Sequence, residues 1–178
     1  MKKEKKEMAE WKQHLIAAII TAVLTFLFIM FVGQRCTDSG ESMLPTINDK
    51  DILCLNKIIY RFTDPKRFDI VVFRYSEKEY YVKRIIALPG ETIWIDYNGL
   101  VYINGEVLDY PYKREQIQNP GIAYQEITLG EDEYFCMGDN VNNSHDSRFE
   151  DVGPVKRSSI LGRVKLRILP LDNFGLLE

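Results

Sequence analysis

Histidine and cysteine are scarce, with two of the first and three of the second in 178 residues. No HExxH or CxxC pattern occurs, so the spacings that build a zinc site are missing and no metal is expected. Cys36, Cys54 and Cys136 are too few for a disulfide scaffold, and an odd number leaves at least one unpaired or intermolecular. A basic field is lacking too. The 23 Lys and Arg stand against 26 Asp and Glu, a net charge of -3, which removes the electrostatic footprint of a nucleic-acid binder. With 46% hydrophobic and 28% charged residues the chain is neither disordered nor a multi-span membrane protein. It shows no internal repeat.

What is present is unevenly spread. Leu15 to Val32 reads LIAAIITAVLTFLFIMFV, uncharged over 18 residues. As a helix it would be about 27 Å long, close to the thickness of a hydrocarbon core. Lys2, Lys3, Lys5, Lys6 and Lys12 precede it, and the positive-inside rule sets that side in the cytoplasm. A cleavable secretory signal peptide shares the charged start. Its apolar core is shorter, however, and Phe31 to Cys36 offers no small-x-small cleavage flank. The expected division is a cytoplasmic tail at 1–14, a transmembrane anchor at 15–33 in contact with membrane lipid, and an extracytoplasmic domain at 34–178.

Beyond Gln34 the pattern turns to period two and β-branched residues. Strands are predicted at Ile52–Asn56, Phe68–Tyr75, Tyr80–Leu88, Thr92–Asp96, Leu100–Ile103, Glu133–Met137 and Leu161–Leu169. Asn98-Gly99 and Asn104-Gly105 are hairpin turn signals. No later segment carries a helical stripe, so the domain is expected to be all-β. Asn104 to Gly130 is polar and irregular and reads as a surface insertion. Gly138 to Val155, dense in Asn, Asp, Ser and Gly, reads as a long functional loop.

Three places could carry chemistry. In Tyr80–Leu88, Tyr81, Lys83, Ile85 and Ala87 alternate with Tyr80, Val82, Arg84, Ile86 and Leu88. Each face is apolar apart from one cation, as in a strand buried on both sides. Burial there would disfavour the ammonium form of Lys83 and leave a neutral amine, which is a base. Equally, Lys83 could sit on an edge strand in water or snorkel to it. Ser42 stands in Ser39-Gly40-Glu41-Ser42-Met43-Leu44-Pro45-Thr46, where a Gly-flanked backbone could offer N–H groups to an oxyanion, or form an ordinary turn. The loop at 138–155 holds Asp139, Ser144, His145, Asp146, Ser147 and Arg148. A Ser42-His145-Asp146 triad is conceivable, but residues adjacent in sequence rarely face each other.

Read together, these segments resemble type I signal peptidases of the bacterial, Ser/Lys kind, and the small size with one anchor resembles their Gram-positive type. Ser42-Met43-Leu44-Pro45-Thr46 is similar to the family's nucleophile box. Phe68-Asp69-Ile70-Val71-Val72-Phe73 is similar to its second strand motif, and Tyr81 to Glu91 to the box with the general base. Met137-Gly138-Asp139-Asn140, with Asn143 to Arg148, is similar to its last box. The resemblance implies a serine endopeptidase that removes signal peptides from secretory preproteins at the outer membrane face, without a cofactor. It implies Ser42 as nucleophile, Lys83 as base and Ser144 as a hydroxyl orienting the amine. Asp146 and Arg148 would form an ion pair shaping the site, with Arg84 nearby. Gly40 stands where Gram-negative relatives carry a serine donor, so the oxyanion would rest on backbone N–H groups at Gly40 and Ser42. Small residues would be selected at P1 and P3, with Met43, Ile47, Tyr81 and Val82 as candidate pocket walls or, equally, as core. Two other classes compete: an anchored β-domain that binds extracellular partners, and a cysteine transpeptidase using Cys136, His145 and Arg148.

Overall fold

The computed structural model of the protein describes residues 11–25, 33–37, 40–112 and 115–177. Residues 11–25 are helical. The rest of the expected anchor, apart from Gly33, and the tail before Trp11 lie outside the described residues. Among the described residues, no helix is long and apolar enough to cross a membrane.

From Gly33 onward the described residues form strands joined by turns and four short 3-10 segments, with no α-helix. The strands are β1 Gly33–Thr37, β2 Ile52–Asn56, β3 Ile70–Arg74, β4 Tyr80–Ala87, β5 Thr92–Ile95, β6 Val101–Ile103, β7 Glu106–Val107, β8 Ile127–Thr128, β9 Glu133–Met137, β10 Val155–Lys156, β11 Ile160–Leu169 and β12 Gly175–Leu176. The larger sheet runs β1-β2-β11-β3-β4-β9-β10, with β12 added beside β11, and the smaller runs β7-β6-β5-β8. A mostly β-sheet fold is what period-two patterning predicts, and each of the seven expected strands is present with ends shifted by two residues or fewer. Five strands carry too little pattern to be seen: β1 reads GQRCT, and β7, β8, β10 and β12 have two residues each.

The larger sheet is covered on both faces. Met43, Ile47, Leu53, Leu55, Ile70, Val72 and Val82 form one buried cluster, and Val71, Phe73, Ile85, Tyr134 and Cys136 belong to another. A third joins β4 and β9 to the smaller sheet through Ile86, Ala87, Ile93, Ile95, Val101 and Phe135. Strict alternation along β4 fails at one point. The pairing with β9 shifts register between Ile85 and Ala87, so Ala87 joins Ile86 in one cluster while Leu88 packs with Tyr81 and Ile85 in another. A bulge reverses the inward face without a local sequence signal.

The segment from Asn104 to Gly130 is no mere surface insertion. Ile117, Ala123 and Leu129 are buried in the cluster that joins the sheets. Single apolar residues in a polar stretch have no period, so only tertiary contacts reveal them.

At Gly162 the backbones of β2 and β11 come close together. A Cβ there would lie 2.4 Å from the Asn56 carbonyl oxygen and 2.9 Å from Lys57 Cα. Gly162→Val should therefore force β2 and β11 apart, at ~1–3 kcal/mol for an overpacked position. The check is the urea midpoint in detergent, and an unchanged midpoint would contradict the close approach.

Candidate active site

The site begins with an unequal strand. On one side β4 pairs with β3 along its length from Tyr80 to Arg84. On the other, β9 pairs with it only from Arg84 onward. The edge of Tyr80–Lys83 that faces away from β3 thus has no strand partner among the described residues. Beside it opens a cleft of about 500 Å³ lined by Ser42, Tyr81, Val82, Lys83, Ser144 and His145, among others.

Lys83 is 4% exposed although it lies next to this opening. Its side chain leaves the face shared with Tyr81 and Ile85, and its amine lies 5.1 Å from the centre of the Tyr81 ring. Lys83 Nζ donates to Ser42 Oγ at 2.7 Å. The edge-strand reading of this lysine, with its amine in water, does not hold.

Ser42 sits in a turn clasped by the last motif. Its carbonyl accepts the Asn140 amide at 3.0 Å, and the Glu41 carbonyl accepts Asn140 Nδ2 at 3.0 Å. Among the described residues no acceptor takes the Ser42 N–H, which leaves it for an oxyanion. Gly40 differs from expectation. Its amide donates to Asp49 Oδ1 at 3.0 Å and is committed away from the cleft. Its φ of 123° is one that L side chains rarely adopt.

Two buried ion pairs fix the loop that follows β9. Arg148 donates from Nε to Asp146 Oδ1 at 2.8 Å and from Nη2 to Oδ2 at 2.9 Å. Arg84 donates from Nε to Asp139 Oδ1 at 2.8 Å and from Nη2 to Oδ2 at 2.7 Å. All four residues are 3% exposed or less. Both pairs are bidentate and further bonded, which offsets the cost of desolvating them. Burial opposes the charge on Arg84, and the bonds to Asp139 more than offset this, so its pKa is raised. Thr46 Oγ1 and the Tyr110 hydroxyl also donate to Asp139, at 2.5 Å and 3.1 Å. This second pair ties the turn after Ser42 to the loop, and the sequence reading missed it. Thr46 belongs to the segment similar to the nucleophile box, but Tyr110 lies in the polar stretch 104–130 and carries no pattern.

Ser144 Oγ donates to Asp146 Oδ2 at 2.7 Å. With its proton spent there, the hydroxyl oxygen presents lone pairs, the right polarity to accept from an amine. Gly138 keeps Ser144 close to the turn. A Cβ on Gly138 would lie 2.3 Å from both Ser144 Oγ and the Ser42 carbonyl oxygen.

His145 is not turned to Ser42 as a base. Its Nε2 lies 2.8 Å from Asp151 Oδ2, an oxygen that also accepts the Tyr75 hydroxyl at 2.6 Å. These bonds, that to Tyr75 first, hold the Asp151 carboxyl below its usual range and push the Tyr75 hydroxyl up to about 12. Cys136 is fully buried, and burial pushes its thiol well above the ordinary range, so it is no thiolate nucleophile. The transpeptidase reading loses its central group. Tyr81 and Val82 line the cleft, and Met43 and Ile47 are fully buried in the cluster that also holds Val82. Their apolar chemistry suited either place.

Residues 10–169 match the family model described as signal peptidase, peptidase S26. A probable signal peptidase I-2 from Synechocystis is 36% identical over 99% of this chain and 81% of its own. A signal peptidase I from Bacillus amyloliquefaciens is 35% identical over 95% of this chain and 92% of its own. Another from Bacillus caldolyticus is 34% identical over 98% and 97%. A signal peptidase I crystal structure from Enterococcus faecalis shares 34% identity and covers 57% of this chain and 97% of that one, with a TM-score of 0.46.

Asp146→Asn would leave the Arg148 guanidinium buried beside a neutral amide. Breaking a buried pair from one side costs ~3–5 kcal/mol, so the unfolding midpoint in detergent should fall steeply and cleavage with it. A midpoint equal to wild type would show that the pair does not hold the loop.

Proposed function

The chain belongs to the signal peptidase family, peptidase S26, and we propose that it is a serine endopeptidase that removes signal peptides from exported preproteins through a Ser42/Lys83 dyad. The observation that carries the dyad is the 2.7 Å contact between Lys83 Nζ and Ser42 Oγ inside a strand whose two faces are covered.

A serine hydroxyl is a weak nucleophile until a base takes its proton. The neutral Lys83 amine takes it while Ser42 Oγ attacks the scissile carbonyl. The oxyanion that forms is met by the free Ser42 N–H. Lys83 then returns the proton to the leaving amine, and the acyl-enzyme remains. The same amine deprotonates the water that hydrolyses the ester. Ser144, its own proton given to Asp146, orients the amine by accepting from it. Asp146 with Arg148, and Asp139 with Arg84, act on the reaction only by holding Ser144 and the Ser42 turn in place.

The substrate enters as an added strand along the unpaired edge of Tyr80–Lys83, so main-chain bonds fix its register and side chains alternate into the cleft. Tyr81 and Val82 stand at that edge and limit what fits, which supports selection of small residues at P1 and P3. No step calls for a metal or cofactor.

The apolar run from Leu15 to Val32, with five Lys before it, supports a single anchor at 15–33 in membrane lipid. The tail at 1–14 is then cytoplasmic and the catalytic domain at 34–178 faces out of the cell membrane.

Cleavage of one preprotein in detergent tests the dyad. Ser42→Ala should abolish cleavage. Lys83→Arg, which keeps a cation but cannot deprotonate, should lower kcat/KM by orders of magnitude in a folded protein. Full activity of either variant would refute the mechanism.

A further inference from the structure

Among the described residues, Lys50, Phe68 and Asn104 have a positive φ without being glycine, and of these Phe68 alone is aromatic. Its φ is 69°, a left-handed conformation that strains a bulky side chain. The hydrogen bonds show what demands it. Phe68 N–H donates to the Ile85 carbonyl at 2.8 Å, and Ile85 N–H donates to the Asp69 carbonyl at 3.0 Å. Phe68 and Asp69 thus oppose the single residue Ile85, just before β3 begins. This is a β-bulge of the kind whose first position is left-handed and ordinarily filled by glycine. Backbone strain of this sort persists only where the surrounding structure over-determines it.

The surrounding contacts converge on Arg84. The left-handed turn aims the Phe68 carbonyl at Arg84 Nη1, 3.0 Å away. The Phe68 ring meets Tyr110 edge-on at 5.4 Å and Tyr112 at 5.8 Å, and the two tyrosines meet each other at 5.7 Å. The Tyr112 ring centre lies 3.8 Å from Arg84 Cζ, so the ring covers one face of the guanidinium. Asp139 takes Nε and Nη2, and the Phe68 carbonyl takes Nη1. Arg84 is thereby fixed within its plane and from above. The Tyr110 hydroxyl donates to one oxygen of the same carboxylate, and Thr46, in the turn that carries Ser42, donates to the other. None of the three rings lines the cleft. They reach the nucleophile turn through one ion pair.

We propose that Phe68, Tyr110 and Tyr112 are positioning residues for the nucleophile, an aromatic cap that holds the Arg84–Asp139 pair and, through Thr46, keeps the Ser42 turn in reactive register. The inference rests on the Ser42/Lys83 reading. It gives the stretch 104–130 a part in catalysis from outside the cleft. It also accounts for a phenylalanine at a position shaped for glycine, since the ring closes the cap.

The test is steady-state cleavage of one preprotein by the full chain in detergent. Rates are taken well below each variant's urea transition, so that lost stability alone does not move kcat. A cap that positions Ser42 acts on the chemical step and not on substrate docking. Phe68→Gly suits the bulge but removes the ring, and Tyr112→Leu removes the ring face. Each should lower kcat by about tenfold or more at wild-type KM. Tyr112→Phe keeps the ring over Arg84 and should retain wild-type kcat. Tyr110→Phe subtracts only the hydroxyl on Asp139 and should lower kcat by a smaller factor, again at wild-type KM. It carries the test where the other variants do not fold. Wild-type kcat in Phe68→Gly or Tyr110→Phe, a change in KM alone, or equal losses in Tyr112→Phe and Tyr112→Leu would each overturn the cap. Ser42→Ala, run alongside, separates the two readings. If it cleaves like wild type, the dyad falls and the inference with it. If it is inactive while the cap variants keep wild-type kcat, only the cap falls.

Discussion

A lysine amine must be kept from water and yet touch a hydroxyl that a substrate can reach. Almost everything around the site answers to that pair of demands. Burial between two apolar clusters satisfies the first, since Val71, Ile85 and Tyr81 share the Lys83 face while Ile70 and Val82 cover the other. The partial pairing of β4 satisfies the second. Where β9 stops short, at Arg84, the strand keeps a free edge and the amine emerges beside Ser42. Had β9 paired two residues further, the edge needed for a substrate strand would be occupied.

The second constraint is precision in an irregular loop. Neither the turn at Ser42 nor the loop at 138–148 has a ladder to hold it. Two bidentate guanidinium–carboxylate pairs replace one, joined by Asn140 to the carbonyls of Glu41 and Ser42. Gly138 permits the contact, because any side chain there would collide with Ser144 and the Ser42 carbonyl. Asp146 serves twice, anchoring Arg148 and taking the Ser144 proton, so that the Ser144 oxygen is left to accept.

Much of this was legible in the sequence. Alternating β-branched residues located the major strands, and two cations in an otherwise apolar strand singled out Lys83 and Arg84. The order of four motifs after an apolar run pointed to the family. What escaped detection depends on contacts between distant residues. Ile117 and Ala123 are isolated apolar positions without a period. The bulge at Ile86 exchanges the faces of Ala87 and Leu88 through pairing with β9. Met43 and Ile47 have the chemistry of a pocket wall and of a core alike, and only packing shows that both are fully buried. Gly40 was sound as a glycine and unsound as a donor, because Asp49, nine residues on, takes its amide. Arg84 found its partner 55 residues away.

The central claim is that Lys83 acts as an amine and not as an ammonium. The pH dependence of kcat/KM reports the protonation of the free enzyme's base. With a uniformly folded protein in detergent, kcat/KM should rise with pH and level off, because only the neutral Lys83 amine can take the Ser42 proton. His145→Ala should leave the midpoint of that rise in place. A midpoint that vanishes with His145→Ala would contradict the account and assign the proton to the imidazole.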